Sequence, residues 1–265
     1  MSKHKGFASH TNGGFTLIEL LVVVAIIVLL AAMILPALTK VRDLAFRASC
    51  SSNERQHFIA LRMYANDNES KLPQHGTLPW LWDMQVRTTD MMLKNGVTKD
   101  SFYCPANKQQ QKYLDRYWEF YEGPDEENPE RAGYRVTGYF WIVESSNRTT
   151  PIRIYDDELE KKWLWRLDFA GASNAELIAD STISQTSGYS TTYYPHGNFE
   201  RITVGAMGTD PQFADVGFDR TSHLKDDREP TGSNIGFADG HVKWRSYNEL
   251  NVRYPPGSGN PLHWW

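Results

Sequence analysis

Residues 13–38 read GGFTLIELLVVVAIIVLLAAMILPAL, and this stretch decides the architecture. Leu20 to Thr39 are twenty consecutive uncharged residues, bounded by Glu19 and Lys40. A helix rises about 1.5 Å per residue and the hydrocarbon core of a bilayer is about 30 Å thick, so about 20 apolar residues cross it. Phe15 to Leu38 meets that length. The chain as a whole is different in kind, with 28 basic and 32 acidic residues in 265, a formal net charge of −4 and a mean hydropathy of −0.53. One apolar segment is therefore attached to a large polar body. That body is long enough to bury a core, and 40% hydrophobic with 13% aromatic residues excludes wholesale disorder. The slight acidity, with no run of five basic residues, gives no support to nucleic-acid binding.

The flanks say what kind of apolar segment this is. A secretory signal has an apolar stretch of about 7–15 residues followed by a small-x-small cleavage site. Here the polar leader MSKHKGFASHTNGG, with Lys3 and Lys5, comes first and ends in Gly13-Gly14. Cleavage after Gly14 leaves the helix on the mature chain as a lasting anchor beginning at Phe15. Glu19 lies one helical turn further on. A carboxylate near the membrane centre costs about 2.5–3.5 kcal/mol, and less near a helix start. Glu19 then either marks the interface and faces headgroups or awaits a cation, such as the free amine of Phe15 on a neighbouring subunit.

The string from Gly13 to Leu38 resembles the class III leader and first helix of type IV pilins and type II secretion pseudopilins. In that family prepilin peptidase cuts after the last glycine and N-methylates the new terminal phenylalanine. The resemblance thus assigns processing to Gly14 and Phe15, filament registry to Glu19, and a helix kink to Pro36. It implies a pilin-like α+β fold, with one long amino-terminal helix, half in the membrane and half packed on a small antiparallel sheet with extra loops and short helices. The implied partners are other pilin-like subunits, prepilin peptidase, the inner-membrane assembly machinery and the lipid bilayer. Lys40, Arg42 and Arg47 after the helix offset Lys3 and Lys5 before it, so the positive-inside count does not orient the chain. Family members are single-pass inner-membrane proteins with the leader in the cytoplasm and the body on the periplasmic or extracellular side.

The expected organisation is a leader at 1–14, a transmembrane helix at 15–38, its amphipathic continuation at 39–66, and a body at 67–265. The continuation places Leu38, Val41, Ala45 and Ala48 on one face, and Phe58, Leu61 and Ala65 toward a core, before NDNESKLP ends the helix near Asn66. Cys50 and Cys104 are the only cysteines. An even count in an exported domain favours a disulfide, the alternative being two buried thiols. Neither cysteine has CxxC or metal spacing, so the sequence predicts no redox catalysis and no zinc. CSSNERQHFIALRMYANDNESKLP and FYCPAN also resemble a large bacterial subset of pilin-like proteins.

In the body, PWLWDMQVRTTDMMLKNGV reads as one or two short helices ending at Gly96, residues 117–132 as a polar loop, and 133–145 and 175–184 as strands. GSNIGFADGHVKWRSY reads as a hairpin turning at Asp239, Gly240 and His241. The same subset carries a His-x9-Asp-Gly signature. Here the nearest upstream candidate, His223, has fifteen intervening residues, which reads as a loop insertion. Asp239 and His241 are expected to serve the turn rather than a metal or catalytic site. Major pseudopilins bind calcium in a carboxy-terminal loop, and Asp215, Asp219, Asp226 and Asp227 offer oxygens without the DxDxDG spacing. No cofactor is expected otherwise. GxSxG, HExxH, GxGxxG and Walker loops are absent, and His196 in YYPHGNF has no orienting acid beside it, so no enzyme is expected. Trp264-Trp265 is read as a tail docked on the body or a sticky surface. The leading reading is a pilin-like subunit; the alternative is a membrane-tethered surface binding protein or enzyme that uses a pilin-type anchor.

Overall fold

The structure, a computed structural model, describes residues 16–73, 80–119, 133–144, 163–184, 199, 216, 219–225, 228–254 and 262–265. It is an α+β fold: helix α1, Leu17–Asp67, is followed by small antiparallel sheets and short helices. The chain divides into two compact units, Met1–Arg42 and Asp43–Trp265.

In the first unit the described residues are helical from Leu17 onward, and their apolar side chains are exposed. This part of α1 reaches a mean hydropathy of 3.2 and is long and apolar enough to cross a membrane. Pro36 lies inside the continuous helix, where it can donate no hydrogen bond, and Thr39 Oγ1 donates to the Leu35 carbonyl at 3.1 Å.

In the second unit α1 buries Cys50, Glu54, His57, Ala60, Leu61 and Ala65, a face with helical spacing. Val41, Ala45 and Ala48, expected on a packed face, are exposed, as is Leu38 in the first unit. Burial starts only at Cys50, where the disulfide ties the helix to the body.

Strands β1 (Asp83–Gln85) and β2 (Tyr134–Val136) pair antiparallel, and helix α2 (Val86–Lys94) follows β1 directly. The expected helical reading of 79–97 therefore holds only from Val86. Asn107 caps α3 (Lys108–Lys112) by accepting from the backbone N–H groups of Gln109 and Gln110, and α4 (Leu114–Trp118) comes next. β3 (Tyr139–Trp141), β4 (Glu176–Asp180), β8 (Gly232–Phe237) and β9 (Val242–Ser246) form the main sheet, antiparallel in the order β3-β4-β8-β9. Between β4 and β8 in sequence lie β5 (Thr182–Ser184), β6 (Leu224–Lys225) and β7 (Glu229–Pro230), the last two paired with each other. The chain ends in β10 (Val252–Tyr254) and β11 (Leu262–Trp264), giving a sheet ordered β10-β11-β5.

Both long strand readings are corrected by this topology. Residues 133–145 break at Thr137-Gly138, so that β2 serves one sheet and β3 another. Thr137 N–H and Oγ1 both turn to the Trp82 carbonyl, and Gly138 N–H donates to Phe102 O at 2.8 Å. A Cβ at Gly138 would lie 2.5 Å from Gln110 Oε1 and 3.0 Å from Tyr103 Cα, so only glycine permits the approach. Residues 175–184 break at Ser181, whose N–H donates to the Gly138 carbonyl. The tail docks: Trp265 is fully buried with its indole N–H on Glu176 Oε2 at 2.9 Å, and Trp264 Nε1 donates to Ser184 Oγ at 2.8 Å.

Candidate functional site

At the start of α1, Thr16 N–H and Oγ1–H each donate to Glu19 Oε2 at 2.8 Å, and Glu19 N–H donates back to Thr16 Oγ1 at 3.3 Å. This is a capping box, two orphan donors satisfied reciprocally. Its signature, Thr16-x-x-Glu19 ahead of an apolar run, stands in the sequence. Gly14 and Phe15 lie outside the described residues.

The second constellation surrounds the bond between Cys50 and Cys104, whose Cα atoms are 5.5 Å apart. Cys50 comes from α1, and Cys104 follows a 3-10 turn, Lys99–Phe102. His223 Nε2 lies 3.4 Å from Cys104 Sγ and 3.1 Å from Asp180 Oδ2. The same Asp180 oxygen accepts from Asn234 N–H at 2.8 Å and Asn234 Nδ2 at 2.9 Å. Asn234 Nδ2 also reaches the Arg47 carbonyl, tying β8 to α1. The His223 ring meets Trp244 edge to face, with centroids 5.2 Å apart.

This polar cluster is fully enclosed. Asp180 Oδ1, His223 Nδ1 and both Glu54 oxygens are buried with no hydrogen-bond partner. Burial, reinforced by the neighbouring Asp180 carboxylate, pushes the Glu54 carboxyl well above the ordinary carboxylate range and so favours its neutral form. One turn along, burial lowers His57 to about 3; its ring stacks on Phe102 and meets Tyr139 edge-on. Cysteine, acid and histidine at 50, 54 and 57 share one buried helix face, and that spacing is a sequence signal for the α1 side of the cluster alone.

The other candidates are placed apart. The β8–β9 turn carries Asp239, Gly240 and His241, with Gly240 at φ +94°. Asp239 Oδ1 accepts from His241 N–H at 3.1 Å and lies 2.6 Å from its Nδ1, while the His241 ring stacks on Phe237. A Cβ on Gly240 would lie 2.5 Å from the Phe58 ring, so the Asp-Gly turn seats itself on α1. His223 faces the disulfide and His241 faces Asp239. Asp219 is buried and held by Asn107, Gln110 and the Arg220 N–H, its pKa raised by burial despite these donors. Asp215, Asp226, Asp227 and His196 lie outside the described residues, as does 120–132 of the expected polar loop. A hollow of about 430 Å³ is lined by Trp163, Trp165, Phe169, Asn174 and Glu176, among others.

The family model described as the prokaryotic N-terminal methylation motif matches residues 9–35. No curated protein and no solved structure matches the chain. The matched segment spans Gly14, Phe15 and Glu19 and includes most of the exposed apolar helix. Proteins with this motif are structural rather than enzymatic. Over residues 9–35 the chain is similar to type IV pilin-like proteins, and the motif together with the one long apolar helix supports processing by prepilin peptidase and anchoring in a membrane.

Proposed function

We propose that the chain is a filament subunit of a type II secretion or type IV pilus-like system. Prepilin peptidase removes residues 1–14 and methylates Phe15. The helix then waits in the inner membrane, and an assembly machine extracts it into a bundle of first helices. The carrying observation is that the methylation motif opens a helix whose apolar surface is uncovered over a full bilayer length. Apolar helices gain little from the hydrophobic effect in lipid, so one charge pair between Glu19 and a neighbour's Phe15 amine selects the register. The buried disulfide supports a body in an oxidising space outside the inner membrane. Mass spectrometry of the mature chain tests the reading: a terminus at Phe15 with one added methyl is expected. Retained Met1, or a cut after the apolar run, overturns it.

A second reading, a tethered binding protein, is favoured by the aromatic hollow, whose volume falls in the range of about 300–1,000 Å³ usual for ligand sites. Neighbouring genes for a secretion ATPase and a prepilin peptidase support the filament. An isolated gene among many paralogues supports the tether.

A further inference from the structure

Four potential ligand atoms, one each from Cys50, Cys104, Asp180 and His223, lie within 4.8 Å of one another, and all four residues are buried. In a tetrahedral zinc site the bonds are about 2.0–2.3 Å, which separates neighbouring ligand atoms by roughly 3.3–3.8 Å. The cluster is already close to that size, with His223 Nε2 aimed at Cys104 Sγ at 3.4 Å. The ligands are too scattered for a sequence motif, the cysteines being 54 residues apart and His223 a further 119 along. The fold assembles them from α1, the chain after the 3-10 turn, the end of β4 and the residue before β6. A second observation points to a ligand: Asp180 Oδ1 is buried without a partner. Asp180 is oriented by Asn234 through its other oxygen, as outer-shell groups orient carboxylate ligands.

We propose that this cluster has two mutually exclusive states, a disulfide under oxidising conditions and, once the disulfide is opened, a site for a borderline divalent cation of the zinc type. Opening is a two-electron step. A dithiol reductant loses two electrons and two protons to become its own disulfide, while the S–S bond of Cys50–Cys104 gains them and becomes two thiols. The cation then displaces both thiol protons and is held by two thiolates, the His223 imidazole and the Asp180 carboxylate. Two sulfurs, a nitrogen and an oxygen suit zinc or cobalt and disfavour calcium and magnesium.

The test uses the full chain in detergent without oxygen, reduced by a phosphine so that the reductant adds no thiol ligand, and cobalt(II) as the probe. The expected result is one cobalt per chain, with a thiolate-to-cobalt charge-transfer band and tetrahedral visible bands that zinc abolishes. The oxidised chain should show neither. Asn234→Ala should weaken cobalt binding roughly 10- to 100-fold while leaving the charge-transfer band at saturation, and His223→Gln should lose the tetrahedral spectrum. Circular dichroism follows the fold. A reduced chain that stays folded without the charge-transfer band overturns the proposal, and so does one that unfolds and is not restored by cobalt. An equal cobalt spectrum from the oxidised chain, or an unchanged one from His223→Gln in a folded variant, also overturns it. The oxidised and reduced wild-type comparison decides the matter even if a variant fails to fold.

Discussion

Glu54 and His57 share one buried helix face, yet their protons answer pH in opposite directions. Glu54 is raised from a reference of 4.5, so the native state holds its proton while the unfolded chain has lost it. Its contribution to stability is fully present below about 4.5 and is lost as pH rises through the native pKa. His57 falls from 6.5 to about 3, so the unfolded chain binds the extra proton and stability is lost as pH falls below 6.5. Between 4.5 and 6.5 the two slopes oppose each other, each at most about 1.4 kcal/mol per pH unit. Asp180 and Arg55 are the charged groups acting on Glu54. Glu54→Gln removes one slope and keeps the shape of the side chain. The expected outcome is a melting temperature above wild type at pH 8 by about 2 °C or more, narrowing to parity near pH 4.5. Thermal melts across pH check it, and a variant less stable than wild type at pH 8 would show Glu54 ionised and paired.

At the scale of elements, Glu19 has two roles open to it, and substitutions separate them. Within its own chain it closes the capping box with Thr16. A glutamine serves a capping box as well as a glutamate but carries no charge. Thr16→Ala does the reverse, removing a cap worth about 1 kcal/mol and keeping the carboxylate. If Glu19 sets filament register by charge, Glu19→Gln is processed but fails to assemble, whereas Thr16→Ala assembles. Electron microscopy of sheared filaments reads both, and normal filaments from Glu19→Gln would leave Glu19 only the cap. The same scale shows what sequence could carry. Helix α1 was legible because apolar content and helix formers run unbroken from Leu17 to the breakers after Asp67. The β8–β9 hairpin was legible because Asp-Gly supplies the positive φ its turn needs. The breaks at Gly138 and Ser181 were not, because each is set by a distant carbonyl or backbone, at Phe102, Tyr103 and Gly138, that local pattern does not encode. The disulfide cluster was half legible: pairing followed from the cysteine count, but His223 and Asp180 join it only through the fold.

Over the whole molecule, the two compact units divide the work the chemistry asks for. Loss of the leader moves the formal charge from −4 to −6, since Lys3 and Lys5 leave without an acid. Most of the exposed large apolar side chains lie on α1 from Leu17 to Leu44, whereas the main sheet, the docked tail and the disulfide all fall in Asp43–Trp265. The disulfide, the Arg47–Asp43 ion pair and the Asn234 bond to the Arg47 carbonyl, which ties α1 to the sheet, all lie within that unit. A chain starting at Asp43 is therefore expected to fold without detergent, with Cys50 and Cys104 joined and Trp265 buried. Reducing a 54-residue loop should cost about 4 kcal/mol in the chain-entropy model, or roughly 8–16 °C of melting temperature. Near-ultraviolet circular dichroism, free-thiol titration and melts with and without reductant measure these outcomes. If the truncated chain aggregates or shows no fixed aromatic signal, the apolar helix is part of what folds the body and not only the surface by which subunits meet. If it folds but reduction leaves its melting temperature unchanged, the body holds the cysteine-bearing end of α1 by packing alone.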